Sequence, residues 1–383
     1  MAEKIILENF NYFGGKHCQT TALKSILEYH NLSLSEEMLF GLGGGIGFIY
    51  WHTKKMPAPF IGTRNSKVDE FVVKICKRIG AEAILCQTVS TEKSYEEVKK
   101  LLVACEPVYV FVDMAYLPYM ALPSEAHFGG HSVVVFGIDE CENKVYIADR
   151  GKKAVFVSIG DFKKARSSKF PPFPAKNKLF KIKCPPVIPD LKECIKDGIK
   201  ECCDVMLRPP IKNIGLSGMQ KWAGLVPKWN KQFKGMNLLG CLLNTFIYIE
   251  IGGTGGSAFR PMYAKFLRES AEILEKPELN QPAELFEKSA AIWSKIASAA
   301  LPDEIQELKK IRQLLFQKNK IFEEQKTDTI EEMKEINIEI NRLTKKVVNY
   351  LQENPSLFIN LQQKISDCYE TEKQAFILLS RLI

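Results

Sequence analysis

The sequence predicts an α+β protein in two parts, a helix packed on an antiparallel sheet followed by a mostly α-helical domain. Three observations predict this. Up to about residue 150, short β-branched and aromatic runs alternate with segments of helical periodicity. From Lys163 to Pro189 the chain turns proline- and lysine-rich, with Phe170-Pro171-Pro172-Phe173-Pro174 at its centre. Beyond that, apolar residues recur at helical spacing to the end. The expected domains are therefore 1–160 and 191–383, joined by a linker at 161–190. A chain of 383 residues is long enough for each domain to bury a core.

Taken in order, Ala22, Leu23, Ile26 and Leu27 mark a helix from Cys18 to about His30, which Asn31 ends. Ser33 or Ser35 starts a short helix through Phe40. Gly41 to Gly47 is too glycine-rich for a helix, and this run either walls a ligand cleft, with Tyr50 beside it, or merely connects elements. Helices are predicted at Val68–Gly80 and Ser94–Ala104, and strands at Ala83–Val89 and Pro107–Asp113. Ser132–Ile138 and Lys144–Ala148 form an antiparallel hairpin turning near 140–142. Later helices are predicted at 191–206, 216–234, 238–249, 259–275, 283–301, 302–324, 330–352 and 356–382. The stretch 303–352, alternating Lys and Glu around regularly spaced apolar residues, reads as a long helical hairpin.

The chemistry concentrates in three residues. Cys18 follows Gly14 and Gly15 and opens a helix, where unpaired N–H groups and the positive end of the dipole favour thiolate. His131 heads one hairpin strand and Asp149 closes the other. Facing residues in an antiparallel ladder have a constant sum of numbers, here about 280–284 as estimated from the turn. His131 thus lies opposite Asp149 or diagonal to it. Asp139, eight residues along the same strand, is roughly 26 Å away at ~3.3 Å per residue. An imidazole can take the thiol proton while a carboxylate fixes its tautomer, so Cys18, His131 and Asp149 are candidate nucleophile, base and orienter. His17 is a poor alternative base because adjacent side chains at a helix start diverge, and it is assigned to the entrance or to substrate. The Cys18 N–H is a natural oxyanion donor.

Composition narrows the function classes. Eleven scattered cysteines, an N-terminus with Glu3 and Glu8 but no apolar core, and no apolar stretch approaching a membrane span suggest a reduced, soluble, cytoplasmic protein. No Cys-x-x-Cys occurs, and Phe128-Gly129-Gly130 breaks the helix that His127 and His131 would need to share a metal, so no metal or bound cofactor is expected. The formal charge of +8 is uneven. Residues 1–170 hold 21 Lys+Arg against 19 Asp+Glu, residues 171–275 hold 16 against 9, and residues 276–383 hold 16 against 17. The basic middle is either a solvated surface or a site for an anionic partner. No nucleic-acid motif accompanies it, and a homo-oligomer is compatible with the sequence. Gly252 to Ser257, with Gly255 and Gly256 ahead of Arg260, either holds a phosphate through backbone N–H groups or is a tight turn between helices. It lacks the Gly-Lys-Ser/Thr ending of a P-loop.

Several blocks resemble one family. His17-Cys18, Leu34-Ser35-Glu36, Phe40-Gly41-Leu42-Gly43, Phe48-Ile49-Tyr50, Gly130-His131-Ser132-Val133-Val134 and Ala148-Asp149-Arg150 are similar to the N-terminal domain of the butirosin biosynthesis protein H family. Leu207 to Asn213, Gly215 to Met219 and Gly255 to Arg260 resemble its helical domain. The resemblance implies a papain-like fold, in which nucleophile, base and acid follow in this chain order. It also implies a cysteine acyltransferase. An acyl group would pass from the phosphopantetheine thioester of an acyl carrier protein to Cys18, then to a small-molecule amine. His131 would act as base then acid, Asp149 would orient it, and the helical domain would serve as lid and partner surface. Papain-like enzymes add a Gln side chain six residues before the nucleophile. Tyr12 stands there with Asn11 beside it, and either could complete the oxyanion hole. A cysteine peptidase or amidase on the same triad, and a non-catalytic binding protein, are the competing readings.

Overall fold

The computed structural model describes residues 3–324 and 329–383. The chain divides into two compact units, and neither is continuous in sequence. The first holds residues up to Glu36, then Val68–Pro189 and Lys318–Ile338; the second holds Glu37–Lys67, Asp190–Gln317 and Glu339–Ile383. This corrects the expected boundaries. Residues 37–67 leave the N-terminal region for the second unit, and 318–338 return from the C-terminal half to the first.

The first unit is built on an antiparallel sheet with strand order Glu82–Cys86, Leu179–Lys183, Val108–Val112, His131–Asp139, Lys144–Ala148, Val155–Ser158. Lys4–Ile6 pairs with the far end of the His131 strand. Val108–Val112 sits in the middle, and every residue of it is buried. Its Val-Tyr-Val-Phe-Val sequence, with no polar alternation, suits a strand covered on both faces. Each such apolar side chain contributes about 1.5–3 kcal/mol by burial. The helix Cys18–Tyr29 buries Ala22, Leu23, Ile26 and Leu27, as its spacing predicts. Helix Thr91–Val103 starts where Ser90 Oγ accepts from the Lys93 N–H at 3.2 Å.

Residues 161–189 are not a linker. Helix Ile159–Ser167, capped by Ser158 on the Asp161 N–H, and strand Leu179–Lys183 both lie in the first unit. That strand pairs on both sides, with Glu82–Cys86 and with Tyr109 and Val110. Buried Arg166 donates to the carbonyls of Asn177 and Lys178 at 2.9 and 3.2 Å, which folds the proline-rich loop back onto the sheet.

The second unit is helical apart from the two-stranded pairing of Ile46–Trp51 with Phe60–Arg64. The glycine run gives a helix that persists through Leu42, two left-handed glycines (Gly44 and Gly45), then a strand. The helix Met236–Phe246 widens to a π-turn over Ile247–Ile251. All four tryptophans fall in this unit, and Trp222, Trp229 and Trp293 are fully buried. At its centre Arg260 forks onto Glu372 with bonds of 2.7 and 2.9 Å, both side chains wholly buried. Ser289 Oγ and Trp293 Nε1 each donate to Glu372 Oε1 at 2.7 Å.

Removing one member of a buried pair strands the other charge and costs about 3–5 kcal/mol. Glu372→Ala is therefore expected to lower the urea midpoint of the tryptophan-fluorescence transition, which reports this unit alone, by that much stability. A midpoint equal to that of the parent protein would show that Arg260 needs no counter-ion.

Candidate active site

Cys18 is the first residue of its helix, and the chain arrives through a turn only glycine allows at Gly15. A Cβ there would lie 1.9 Å from Thr21 Oγ1. Glu36 organises the turn. Its Oε1 accepts the His17 N–H at 2.8 Å and the Thr20 and Thr21 hydroxyls at 2.9 and 3.0 Å, and its Oε2 accepts the Lys16 N–H at 3.0 Å. The Cys18 N–H is left with no partner among the described residues, as expected at the start of a helix. The Cys18 side chain is partly exposed.

The hairpin has the predicted register. Val134 faces Ala148 and Asp139 faces Lys144, so facing numbers sum to 282 at one end and 283 at the other. A bulge at Phe136 separates the two. Asp149 thereby lies diagonal to His131, and its Oδ2 is 2.8 Å from His131 Nε2. The other ring nitrogen, Nδ1, is left for the hydrogen bond between His131 and Cys18. Asp139 instead pairs with Lys4 and caps the hairpin turn through the Glu142 N–H.

Burial alone would raise the Cys18 thiol. The hydrogen bond and charge of His131, the Ser132 N–H and the Arg150 guanidinium outweigh it and hold the thiol below its ordinary value. Burial likewise opposes a charged His131, but the Asp149 carboxylate and then Cys18 raise it to about 9. Burial works against the Asp149 carboxylate too, yet His131 and Arg150 keep it below the usual range. The three shifts run the same way, each favouring the charged form of its group over the neutral one.

Two residues at this site carried no sequence signal. Tyr119 donates its hydroxyl to Asp149 Oδ2 at 2.9 Å, and its ring stacks on Phe322 with centroids 6.5 Å apart. Phe322 comes from the returning segment 318–338 and also lies under the Arg150 guanidinium, 4.9 Å from ring centroid to Cζ. Lys152 donates its N–H to the Glu323 carbonyl at 3.0 Å, and Lys318 and Asn337 both donate to the Ala121 carbonyl. Residues 316–324 and 329 of the charged hairpin tip are thus described, whereas 325–328 lie outside the described residues. Arg150 joins the two halves of the site: its N–H donates to Asp149 Oδ1 at 2.7 Å and its Nη1 to the Lys16 carbonyl at 3.2 Å.

The remaining candidates are placed differently. His17 is buried, with Nδ1 3.3 Å from Thr20 Oγ1 and its ring edge-on to Phe71, so it packs inside the unit and not at an entrance. Asn11 and Tyr12 are exposed, and the Tyr12 ring lies against Phe136 at 6.1 Å. Tyr50, Gly255, Gly256 and Arg260 belong to the second unit. Arg260 cannot meet a phosphate, because its donors are spent on Glu372 and on the carbonyls of Thr63 and Ala258. The glycine loop takes the tight-turn alternative, with the Gly256 N–H donating to Thr254 Oγ1 and the Ser257 N–H to Glu250. No metal-ligating cluster occurs among the described residues, and no described helix is long and apolar enough to cross a membrane.

Comparison with protein families gives two matches. Residues 17–150 match the family described as butirosin biosynthesis protein H, N-terminal, a span containing Cys18, His131 and Asp149. Residues 160–325 match a domain of unknown function (DUF4872). No curated protein matches the chain.

Alkylation of Cys18 by iodoacetamide, mapped by peptide mass, should stay fast as pH falls below 9 and fade only through the lowered thiol value. In His131→Ala the limb should move up, since only the Ser132 N–H and the Arg150 guanidinium then oppose burial. Tyr119→Phe removes a bond to a charged group, worth about 1.5–3 kcal/mol, and should shift the same limb upward while leaving the fold intact. An alkylation profile unchanged in Tyr119→Phe would remove that tyrosine from the site.

Proposed function

We propose, from the match of residues 17–150 to the butirosin biosynthesis protein H N-terminal family, that the chain is a cysteine acyltransferase with a papain-like catalytic unit. The match points to an enzyme of biosynthesis. The observation that carries the finer reading is the continuous chain from the partly exposed Cys18 through buried His131 to Asp149.

The steps balance on this chain's own groups. The Cys18 thiolate attacks the carbonyl carbon of a thioester, and the charge moves to the carbonyl oxygen. The Cys18 N–H, without a partner among the described residues, would receive that oxyanion. As the C–S bond of the donor breaks, the His131 imidazolium gives its proton to the departing thiolate, leaving S-acyl-Cys18 and a neutral imidazole. An amine then attacks the acyl carbon, His131 takes the proton from its nitrogen, and Cys18 leaves as thiolate. Thioester and amine become amide and thiol. Asp149 holds the Nε2–H of the ring throughout, so that Nδ1 faces sulfur.

The proposed donor is the phosphopantetheine thioester of an acyl carrier protein and the proposed acceptor a small-molecule amine. Cysteine suits a thioester donor, because thiolate and thioester exchange with little change in bond energy. The basic stretch 171–275 suits an acidic carrier.

Incubation with a panel of carrier-bound or pantetheine acyl thioesters, followed by intact mass, tests this. A single acyl adduct should form, vanish in Cys18→Ala, and discharge faster with added amines than in buffer. His131→Gln should slow its formation on the order of 10³-fold, within the range for a general acid–base group. Discharge by water at the same rate with or without amines would make the protein a hydrolase. An adduct that persists in Cys18→Ala would overturn the assignment.

A further inference from the structure

The second unit contains a cleft of about 450 Å³, and the triad has no part in it. Its walls carry Tyr50, His52, Lys54, Asn213, Lys221 and Gln232, and no acidic side chain lines it. Tyr50 is the penultimate residue of the strand Ile46–Trp51 and is held by its N–H to the Asn213 carbonyl at 2.9 Å. It is 3% exposed, whereas Lys54 and Lys221 are exposed.

The hydrogen bonds make this phenol a donor with nothing to donate to. Trp229 Nε1 donates to Tyr50 Oη at 3.2 Å, which fills an acceptor position and leaves the phenolic proton with no acceptor among the described residues. Burial pushes the Tyr50 phenol up to about 12, so it keeps that proton at neutral pH. Lys221 Nζ donates to Asn213 Oδ1 at 2.7 Å, which fixes that amide with its NH₂ as the group still free to donate. His52 Nε2 is held by the Met56 carbonyl at 3.2 Å. A buried O–H, an oriented amide and two ammonium groups thus belong to residues lining one cleft, with no carboxylate among those residues. Such a set recognises an anion with several acceptor oxygens.

We infer that this cleft binds a phosphate monoester, the phosphate meeting Lys54, Lys221 and the Asn213 amide and one oxygen accepting from Tyr50. Leu225 supplies an apolar wall for the organic part. Asn213, Lys221, Leu225 and Gln232 come from the stretch of highest positive charge, and a positive excess raises the local concentration of anions. The inference does not rest on the acyltransferase reading, since every group involved belongs to the second unit.

Tryptophan fluorescence reads the site directly, because Trp229 touches Tyr50 and all tryptophans lie in this unit. The intact protein is titrated with pantetheine 4′-phosphate, pantetheine, adenosine monophosphate and inorganic phosphate. The esters should bind, pantetheine should bind at least ~10-fold more weakly, and raised salt should weaken the esters. Preference for pantetheine 4′-phosphate over the nucleotide would assign the ester to a carrier arm, and the reverse to a free nucleotide. Tyr50→Phe should cost about tenfold and Lys221→Glu abolish ester binding, while Cys18→Ala leaves it unchanged. Pantetheine binding as well as its phosphate, or undiminished ester binding by Lys221→Glu, would overturn the inference. So would a flat titration with every probe in a protein that shows its full cooperative urea transition by tryptophan fluorescence.

Discussion

A carboxylate as buried as Asp149 stays ionised only where donors surround it. Three do so here: the His131 ring, the Tyr119 hydroxyl and the Arg150 N–H. Each bond to a charged group is stronger than one between neutral partners, and together they offset the desolvation that would otherwise return a proton to the acid. Much of the first unit's irregular structure serves this one group. The loop between Val112 and His131 brings in Tyr119, and the returning segment 318–338 puts Phe322 beneath both Tyr119 and Arg150. An ionised Asp149 supports a charged His131, and a charged His131 supports the thiolate.

The helix start contributes less to the thiolate than its position suggests. Glu36 already sets a fixed anion at the positive end of the Cys18 helix, where it accepts the Lys16 and His17 N–H groups. That carboxylate offsets the dipole that would otherwise favour a negative sulfur. Its gain is geometric: with Thr20 and Thr21 also tied to it, the turn is closed and Cys18 has one position. The charge on sulfur then depends mainly on His131 and the Ser132 N–H. The site exchanges a diffuse stabilisation for a directed one.

The hairpin was legible because period-2 alternation and a short polar turn determine a register, and the register alone brings Asp149 to His131. The Cys18 helix was legible from its apolar stripe and the glycines before it. Other features had signals that local patterns mask. Leu179–Lys183 reads Leu-Phe-Lys-Ile-Lys among prolines and lysines, and its place beside Val108–Val112 comes from tertiary pairing, not propensity. Ile46–Trp51 follows glycines that suggested a connector, yet left-handed Gly44 and Gly45 turn the chain into a strand. Tyr119 lies in the second of two short 3₁₀ turns, with no period to read. Phe322 stands on an ordinary amphipathic helix, and periodicity says which face is apolar but not what it covers. The exchange of 37–67 and 318–338 between units leaves no compositional mark at all.

The second unit shows why a glycine loop ahead of an arginine and an unremarkable strand end exchange roles once hydrogen bonds are counted. Arg260 is the better anion ligand by type, but Glu372 and backbone carbonyls consume its fork, and Glu250 occupies the N–H group of Ser257 where a phosphate oxygen would sit. A ligand there would have to displace a buried ion pair, at a cost no single phosphate contact returns. Tyr50 and Asn213 present the opposite case, since each has its acceptor side filled by a protein donor and its donor side left open. A buried donor without an acceptor carries a desolvation penalty of about 1–3 kcal/mol that water or a ligand relieves. The capacity to bind resides in unmet hydrogen bonds, and those are found by accounting for partners after folding, not by residue type beforehand.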